Sequence, residues 1–495
     1  MVFSSTVFLF LFLPITLLMY FNPLCKKREY RNIVLLIMSL GFYGWGEPVF
    51  IFLMLLSIVV NWFLALQIDK NAENIKMQKH IVRFAVFYNL GILFIFKYLT
   101  FVLQNIGLLI HDQGIVINIA LPIGISFFTF QILSYVLDVY YGNAKVQKNV
   151  LNVALYIAMF PQLVAGPIVR YSVVAEEIQS REESAQDFTD GFTRFVFGLG
   201  KKVLIANYLA MMVDNIFLME NRSVATLWLG CIGYALQIYF DFSGYSDMAI
   251  GLGRVFGFTF NENFNYPYIS KSIPEFWRRW HISVSEWFRD YLFYPVIRSN
   301  WCIRLSNWSK KKFSKDVAKL IPTLVATMIV WTATGIWHGA NWTYILWGVY
   351  YGVLISLSHI VKKPMKKWNK EHAFTGSKWF DIFRIVRTMF LVCIGYVLFR
   401  ADSVNYAWSY LKGMFGIGVT QGIDDVFIEY IGNAKYVLIA ALIFSVPIIP
   451  WLKENKKVPG MIKNVFVSIA TIVVFALAVL VSIKSTYNPF IYFNF

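Results

Sequence analysis

From Val2 to Phe21 the chain carries no charged side chain, and further long, predominantly apolar stretches recur from there to its far end. Such runs limit the fold more than any motif. A helix needs about 20 residues to cross about 30 Å of hydrocarbon, where every backbone N–H and C=O must be satisfied within a helix or a closed sheet. None of the runs shows the ten-residue alternation of a membrane barrel, so an all-α integral membrane protein is expected. The expected spans are 2–22, 33–45, 49–67, 84–110, 119–140, 203–219, 223–241, 320–337, 341–359, 381–399, 435–451 and 464–483. Twelve crossings, within a range of about 11–13, put both termini outside.

Charge sets the orientation. The formal net charge of +17 is concentrated in segments 26–31, 69–83, 298–319, 361–370 and 453–463, all between expected spans. That is the pattern of cytoplasmic loops and excludes nucleic acid as a partner. Loop 400–434 sets Arg400 and Lys412 against Asp402, Asp424, Asp425 and Glu429, and belongs outside. No basic residue precedes the first run and no small-residue cleavage site follows it, so it reads as a retained span. Cys25, Cys231, Cys302 and Cys393 are scattered and imply neither a disulfide framework nor a metal site. There is no internal repeat of the kind that marks many transporters.

One apolar segment is expected not to cross. Within 150–168, Pro161, Gly166 and Pro167 would break a spanning helix, and irregular backbone at membrane depth is tolerated only inside protein or along a cavity. It reads as re-entrant.

The chemistry concentrates in two places. The stretch FWRRWHISVSEWFRDYLFYPV, 276–296, gathers three tryptophans and three arginines around His281. Ser272, Pro274 and Glu275 before it form a capping box, so a helix is expected to begin there. At helical spacing Trp277, Trp280, Val284, Trp287 and Tyr291 share one face, while Arg278, Arg279, Glu286, Arg289 and Asp290 spread around the rest. That suits an interfacial helix or the wall of a polar funnel. The second place is TATGIWHGANWTYILWG, 332–348, at the join of two spans. Gly335 and Gly339 flank His338 and allow a tight turn that presents it to a cavity. From spacing alone His281 reads equally as an interfacial histidine bonded to a carbonyl, and His338 also as a satisfied buried one. His80, His111, His359 and His372 look ordinary. Asp241, Ser243, Tyr245 and Asp247 follow an apolar span and fit either a cavity wall or a helix terminus.

Both stretches together resemble the membrane-bound O-acyltransferase family, in particular its bacterial alginate O-acetylation branch. Further matching pieces are FPQLVAGPIVRY, YFDFSGYSDMAIGLGRVFGF, NFNYPYISKSI, LFRADS and the terminal PFIYFNF. The resemblance implies one polytopic domain over 1–495. Its multi-span core, about 119–400, would enclose a central cavity with re-entrant and interfacial helices, followed by two C-terminal spans and an aromatic tail, 435–495. It implies an O-acyltransferase of the bacterial cell membrane, with His338 catalytic and His281 also important. Trp277, Arg278, Arg279, Trp280, Trp337 and Asn341, with Asp241 and Asp247, would line the cavity. No tightly bound cofactor or metal is implied; the donor would be the thioester of acetyl-CoA or of an acyl carrier protein. An extracellular or periplasmic acetyltransferase partner would complete transfer to an exopolysaccharide, since the chain has no GxSxG-type domain of its own. Tyr492 in the tail reads either as an acyl acceptor or as part of an interfacial aromatic belt. The basic loop 298–319 fits donor attraction or plain orientation signalling. D-alanyl transfer toward teichoic acid, a polytopic transporter or flippase, and a non-catalytic scaffold are the alternative functions.

Overall fold

The computed structural model describes residues 1–109, 119–164, 166–448, 450–451 and 459–484. Its elements are helices, and no strand occurs among the described residues. Eight helices there are long and apolar enough to cross a membrane: Phe50–Lys70, Ile75–Leu108, Ala185–Leu218, Lys315–His338, Trp342–Glu371, Lys378–Arg400, Asp425–Phe444 and Gly460–Lys484. The other four expected spans fall on helices that are shorter or more polar, Phe8–Tyr20, Arg28–Gly46, Ile125–Tyr141 and Val224–Val255.

The segment around Pro161 is too broken to cross. A helix of nine residues, Val150–Ala158, stops at Met159, whose ψ of 113° is not helical, and Phe160–Leu163 adds one turn. All of Tyr156 to Leu163 is buried. The backbone freed at the break is answered inside the protein: the Phe160 N–H donates to Ser39 Oγ at 3.0 Å. Irregular backbone thus occurs where neighbouring protein replaces water, as the bilayer requires.

The chain divides into two compact units. The first comprises 1–204, 242–262 and the last helix from Asn464. Its core is aromatic, with Phe3 stacked on Tyr245 at 4.6 Å and Phe12 edge-on to Phe160 at 5.3 Å. Small residues let two of its helices touch: a Cβ on Gly198 would stand 2.6 Å from the Gly244 carbonyl oxygen. Glu183, its side chain 6% exposed, holds Arg28 and Arg31 at 2.5 Å each, with Arg181 at 3.7 Å.

The second unit comprises 205–241 and 263–463. Its helices Lys315–His338 and Trp342–Glu371 form an antiparallel hairpin that closes on glycine. A Cβ on Gly348 would overlap the Trp331 carbonyl oxygen, and one on Gly335 would overlap that of Tyr344. Asp424 anchors the start of Val224–Val255, accepting from the Ser223 N–H at 2.9 Å and from Thr226 Oγ1 at 2.6 Å. Both histidines of interest lie in this unit.

Candidate functional site

The capping box forms with one difference. Ser272 accepts from the Glu275 N–H at 3.3 Å, but the Glu275 carboxylate reaches past the cap residue to the Lys271 N–H at 3.0 Å. The helix so begun, Ile273–Arg279, lasts seven residues. Trp280 is extended and His281 is left-handed, with φ 44° and ψ 55°, before a second short helix, Ile282–Phe288. A π-turn over Arg289–Phe293 and the helix Tyr294–Arg298 follow. The single amphipathic face expected from Trp277 to Tyr291 is therefore not formed.

The cause is a segment from further back in the chain. Residues 263–265 lie along the break and take up the backbone groups it frees. The Asn265 N–H donates to the Arg279 carbonyl at 2.9 Å, and the Ile282 N–H to the Asn263 carbonyl at 3.0 Å. A left-handed residue other than glycine costs on the order of 1–3 kcal/mol and persists where its surroundings over-determine it. Among the described residues His281 and Tyr266, both at φ 44°, are the two non-glycine residues of this kind, one at the break and the other next to Asn265.

The break separates two tryptophans that a continuous helix would align. Trp277 packs with Trp331 at 4.6 Å, Tyr351 at 4.9 Å and Trp347 at 5.5 Å. Trp280 packs elsewhere, against Phe264 at 5.1 Å, Phe276 at 5.6 Å and Tyr396 at 5.8 Å.

His338 ends its helix among rings, 4.9 Å from Trp337, 4.9 Å from Trp347 and 5.1 Å from Phe399. Gly339 beyond it is extended, φ −179°, so glycine serves there the close approach of the Tyr344 ring and not a left-handed turn. Trp337 is also 6.2 Å from His281, so one indole stands next to both imidazoles. Exposure is 2% for His281 and 5% for His338. Asn263, fully buried, presents its Oδ1 to His281 Nδ1 at 3.2 Å, to Ser283 Oγ at 2.9 Å and to the Ser283 N–H at 3.2 Å.

Three buried donors of the Trp277 cluster find no hydrogen-bond partner among the described residues: Nε1 of Trp277, Nε1 of Trp347 and the hydroxyl of Tyr351. A buried polar group left unmet costs about 1–3 kcal/mol. Sequence reasoning did not single out Asn263, Trp347 or Tyr351. The last two lie one helical turn apart in a helix whose Trp and Tyr content also reads as plain span; Asn263 opens the matching piece NFNYPYISKSI, but nothing within that piece marked it out from its neighbours.

The remaining expected residues take varied positions. Arg278 is exposed, while Arg279 braces its own segment through Glu275 Oε1 and the Asn265 carbonyl, each at 3.1 Å. Asn341 caps the helix Trp342–Glu371, accepting from the Thr343 N–H at 3.0 Å and donating to the Asp402 carbonyl at 3.0 Å. Asp241 is buried in the unit that holds the histidines. Asp247 belongs to the first unit, bound by Arg194 at 2.7 Å and Lys201 at 2.6 Å. Tyr492 lies outside the described residues, as does His111. No cluster of metal-ligating side chains occurs among the described residues.

Comparison with known proteins places these residues in a family. Residues 141–399 match the family model described as MBOAT, membrane-bound O-acyltransferase family, a range that contains Asn263, His281 and His338. The chain is 39% identical over 425 residues to the protein named Probable alginate O-acetylase AlgI of Pseudomonas aeruginosa, covering 85% of this chain and 76% of that one. It is 31% identical over 450 residues to a peptidoglycan O-acetyltransferase of Helicobacter pylori, covering 84% and 80%. Against a teichoic acid D-alanyltransferase of Bacillus subtilis it is 31% identical over 295 residues, 58% of this chain and 71% of the other. The resemblance carried by the WRRWH and WHG blocks is thereby borne out, and the chain belongs to the membrane-bound O-acyltransferase family, as a multi-pass bacterial membrane O-acyltransferase.

Proposed function

We propose that this O-acyltransferase takes an acetyl group from a cytoplasmic thioester, acetyl-CoA or an acyl carrier protein, and passes it across the membrane for O-acetylation of an extracellular polysaccharide. The names of the relatives support the acyl group and the polymer class, since alginate and peptidoglycan O-acetylation both end on a sugar hydroxyl. An envelope acetyltransferase partner completes the transfer outside, and Tyr492 is the proposed way station for the acyl group.

The observation that carries the reading is the pair of buried imidazoles next to Trp337. Acyl transfer needs a base for the acceptor hydroxyl's proton and donors for the oxyanion that develops on the acyl carbon. His338 is the base. Trp277 Nε1, Trp347 Nε1 and the Tyr351 hydroxyl, buried in the ring cluster that His338 touches through Trp347, are the donor set for the oxyanion. In this reading Arg278 and Arg279 are assigned to the polar mouth of the acyl-transfer cavity, and Asp241 to its wall.

The test is label transfer from acetyl-CoA in membrane vesicles that contain the chain and its envelope partner, with His338→Ala compared at equal folded abundance. Loss of transfer is expected; unchanged transfer would remove the base assignment. A D-alanyl cargo is the second reading, favoured by the teichoic acid relative, and labelled D-alanyl carrier protein supplied to the same vesicles decides between them.

A further inference from the structure

Asn263 makes three hydrogen bonds through one atom. Its Oδ1 faces the Ser283 backbone N–H, Ser283 Oγ and His281 Nδ1, at 3.2, 2.9 and 3.2 Å. A backbone N–H can only donate, so the atom that meets it must be the amide oxygen, and this decides which way the amide faces. The Nδ2 end has no partner among the described residues, so the side chain is oriented by its oxygen alone. An amide oxygen only accepts. His281 Nδ1 must therefore carry the proton, and in the neutral ring the lone pair is on Nε2.

We propose that Asn263 is a positioning residue that holds His281 in the tautomer whose Nε2 accepts a proton, so that His281 shares the base role with His338. This rests on the acyl-transfer reading given above and deepens it. A neutral His281 in this tautomer has no N–H at Nε2 to offer an oxyanion, which leaves oxyanion binding to other donors. In the transfer step the acceptor oxygen bonds to the acyl carbon and the carbon–sulfur bond breaks. The hydroxyl proton moves to an imidazole nitrogen and from there to the departing thiolate. Nε2 of His281 can take that proton with no change of tautomer; a ring held the other way round could not.

The left-handed backbone at His281 belongs to the same device. The Ile282 N–H bonds the carbonyl of Asn263 while the Ser283 N–H bonds its side chain, so backbone and amide of one residue hold both the break and the ring. The strain of a left-handed histidine is thereby tied to ring orientation.

The experiment measures the pH–rate profile of label transfer from acetyl-CoA in vesicles holding the full chain and its partner, for the native protein, Asn263→Ala, Asn263→Asp and His281→Ala. Each variant is matched for folded abundance by its melting transition in detergent. Asn263→Ala is expected to lower transfer about 100-fold, the scale of one acid–base contribution. Asn263→Asp keeps an acceptor for Nδ1–H and adds a negative charge beside the ring, which favours the imidazolium. It should recover most of the rate while the acidic limb of the profile moves to higher pH. A native acidic limb in Asn263→Asp would overturn the proposal, as would Asn263→Ala transferring at the native rate. If His281→Ala abolishes transfer while the Asp limb stays native, the inference fails and the acyl-transfer reading stands. If both His338→Ala and His281→Ala transfer at native rates, the catalytic reading itself has failed and the inference goes with it.

Discussion

The side-chain oxygen of Asn263 meets His281 Nδ1 at 3.2 Å across eighteen positions of sequence. The same oxygen accepts from the backbone N–H of Ser283, in the first turn of the helix Ile282–Phe288, so the contact that turns the imidazole also caps the helix after it. Structure and chemistry are coupled at one residue.

Loss of His281 should then resemble loss of His338. Each alanine variant is expected to reduce label transfer by about 100-fold or more while the protein still inserts and melts cooperatively. A double variant no worse than either single one would indicate that the two act as a unit.

Tyr351→Phe removes one hydroxyl from the ring cluster and leaves its packing in place. If that hydroxyl meets the developing oxyanion, the maximal rate should fall about 100-fold or more with KM little changed. A native rate would take Tyr351 out of the donor set.

Gly348→Ala tests the helix hairpin that carries His338. The added methyl would overlap the Trp331 carbonyl oxygen, backbone that cannot rotate aside, so a destabilisation of about 1–3 kcal/mol is expected. Gly432→Ala, with nothing near its Cβ and a helical position, is the control and should be neutral or stabilising. Thermal melting in detergent compares the two.

Glu183 gives a pH dependence in the first unit. Burial alone would raise its pKa, but hydrogen bonds from Arg28 and Tyr20 and the charges of Arg28 and Arg31 outweigh it and hold the carboxyl below its ordinary 4.5. A depressed carboxylate stabilises the fold above its unfolded pKa, and that contribution disappears as pH falls through the folded value. The melting temperature should therefore drop below about pH 4.5. Glu183→Gln should lose this part of the acid sensitivity and, by leaving buried Arg181 and half-buried Arg28 and Arg31 without their carboxylate, lower the melting temperature at neutral pH.

Much of this was legible from residues close together in sequence. Ser272 and Glu275 are three apart, and the helix start they predict is present because a cap is a local event. Apolar length likewise predicts spans directly, and Pro161 marks its own break. The end of that same helix was not legible. Nothing in FWRRWHIS announces a stop at Trp280, since the groups that replace the helical bonds come from Asn263 and Asn265. For the same reason Trp277 and Trp280, three positions apart, were expected on one face and occupy different clusters.

The sequence by itself determined an all-helical membrane protein and singled out His281 and His338, because apolar length and signature spacing are read along the chain. Only the tertiary structure decided that one indole stands beside both histidines and that the amide of an asparagine eighteen residues upstream meets the ring of one of them. Those relations depend on hydrogen bonds and ring contacts between distant segments, which no periodicity within a segment encodes.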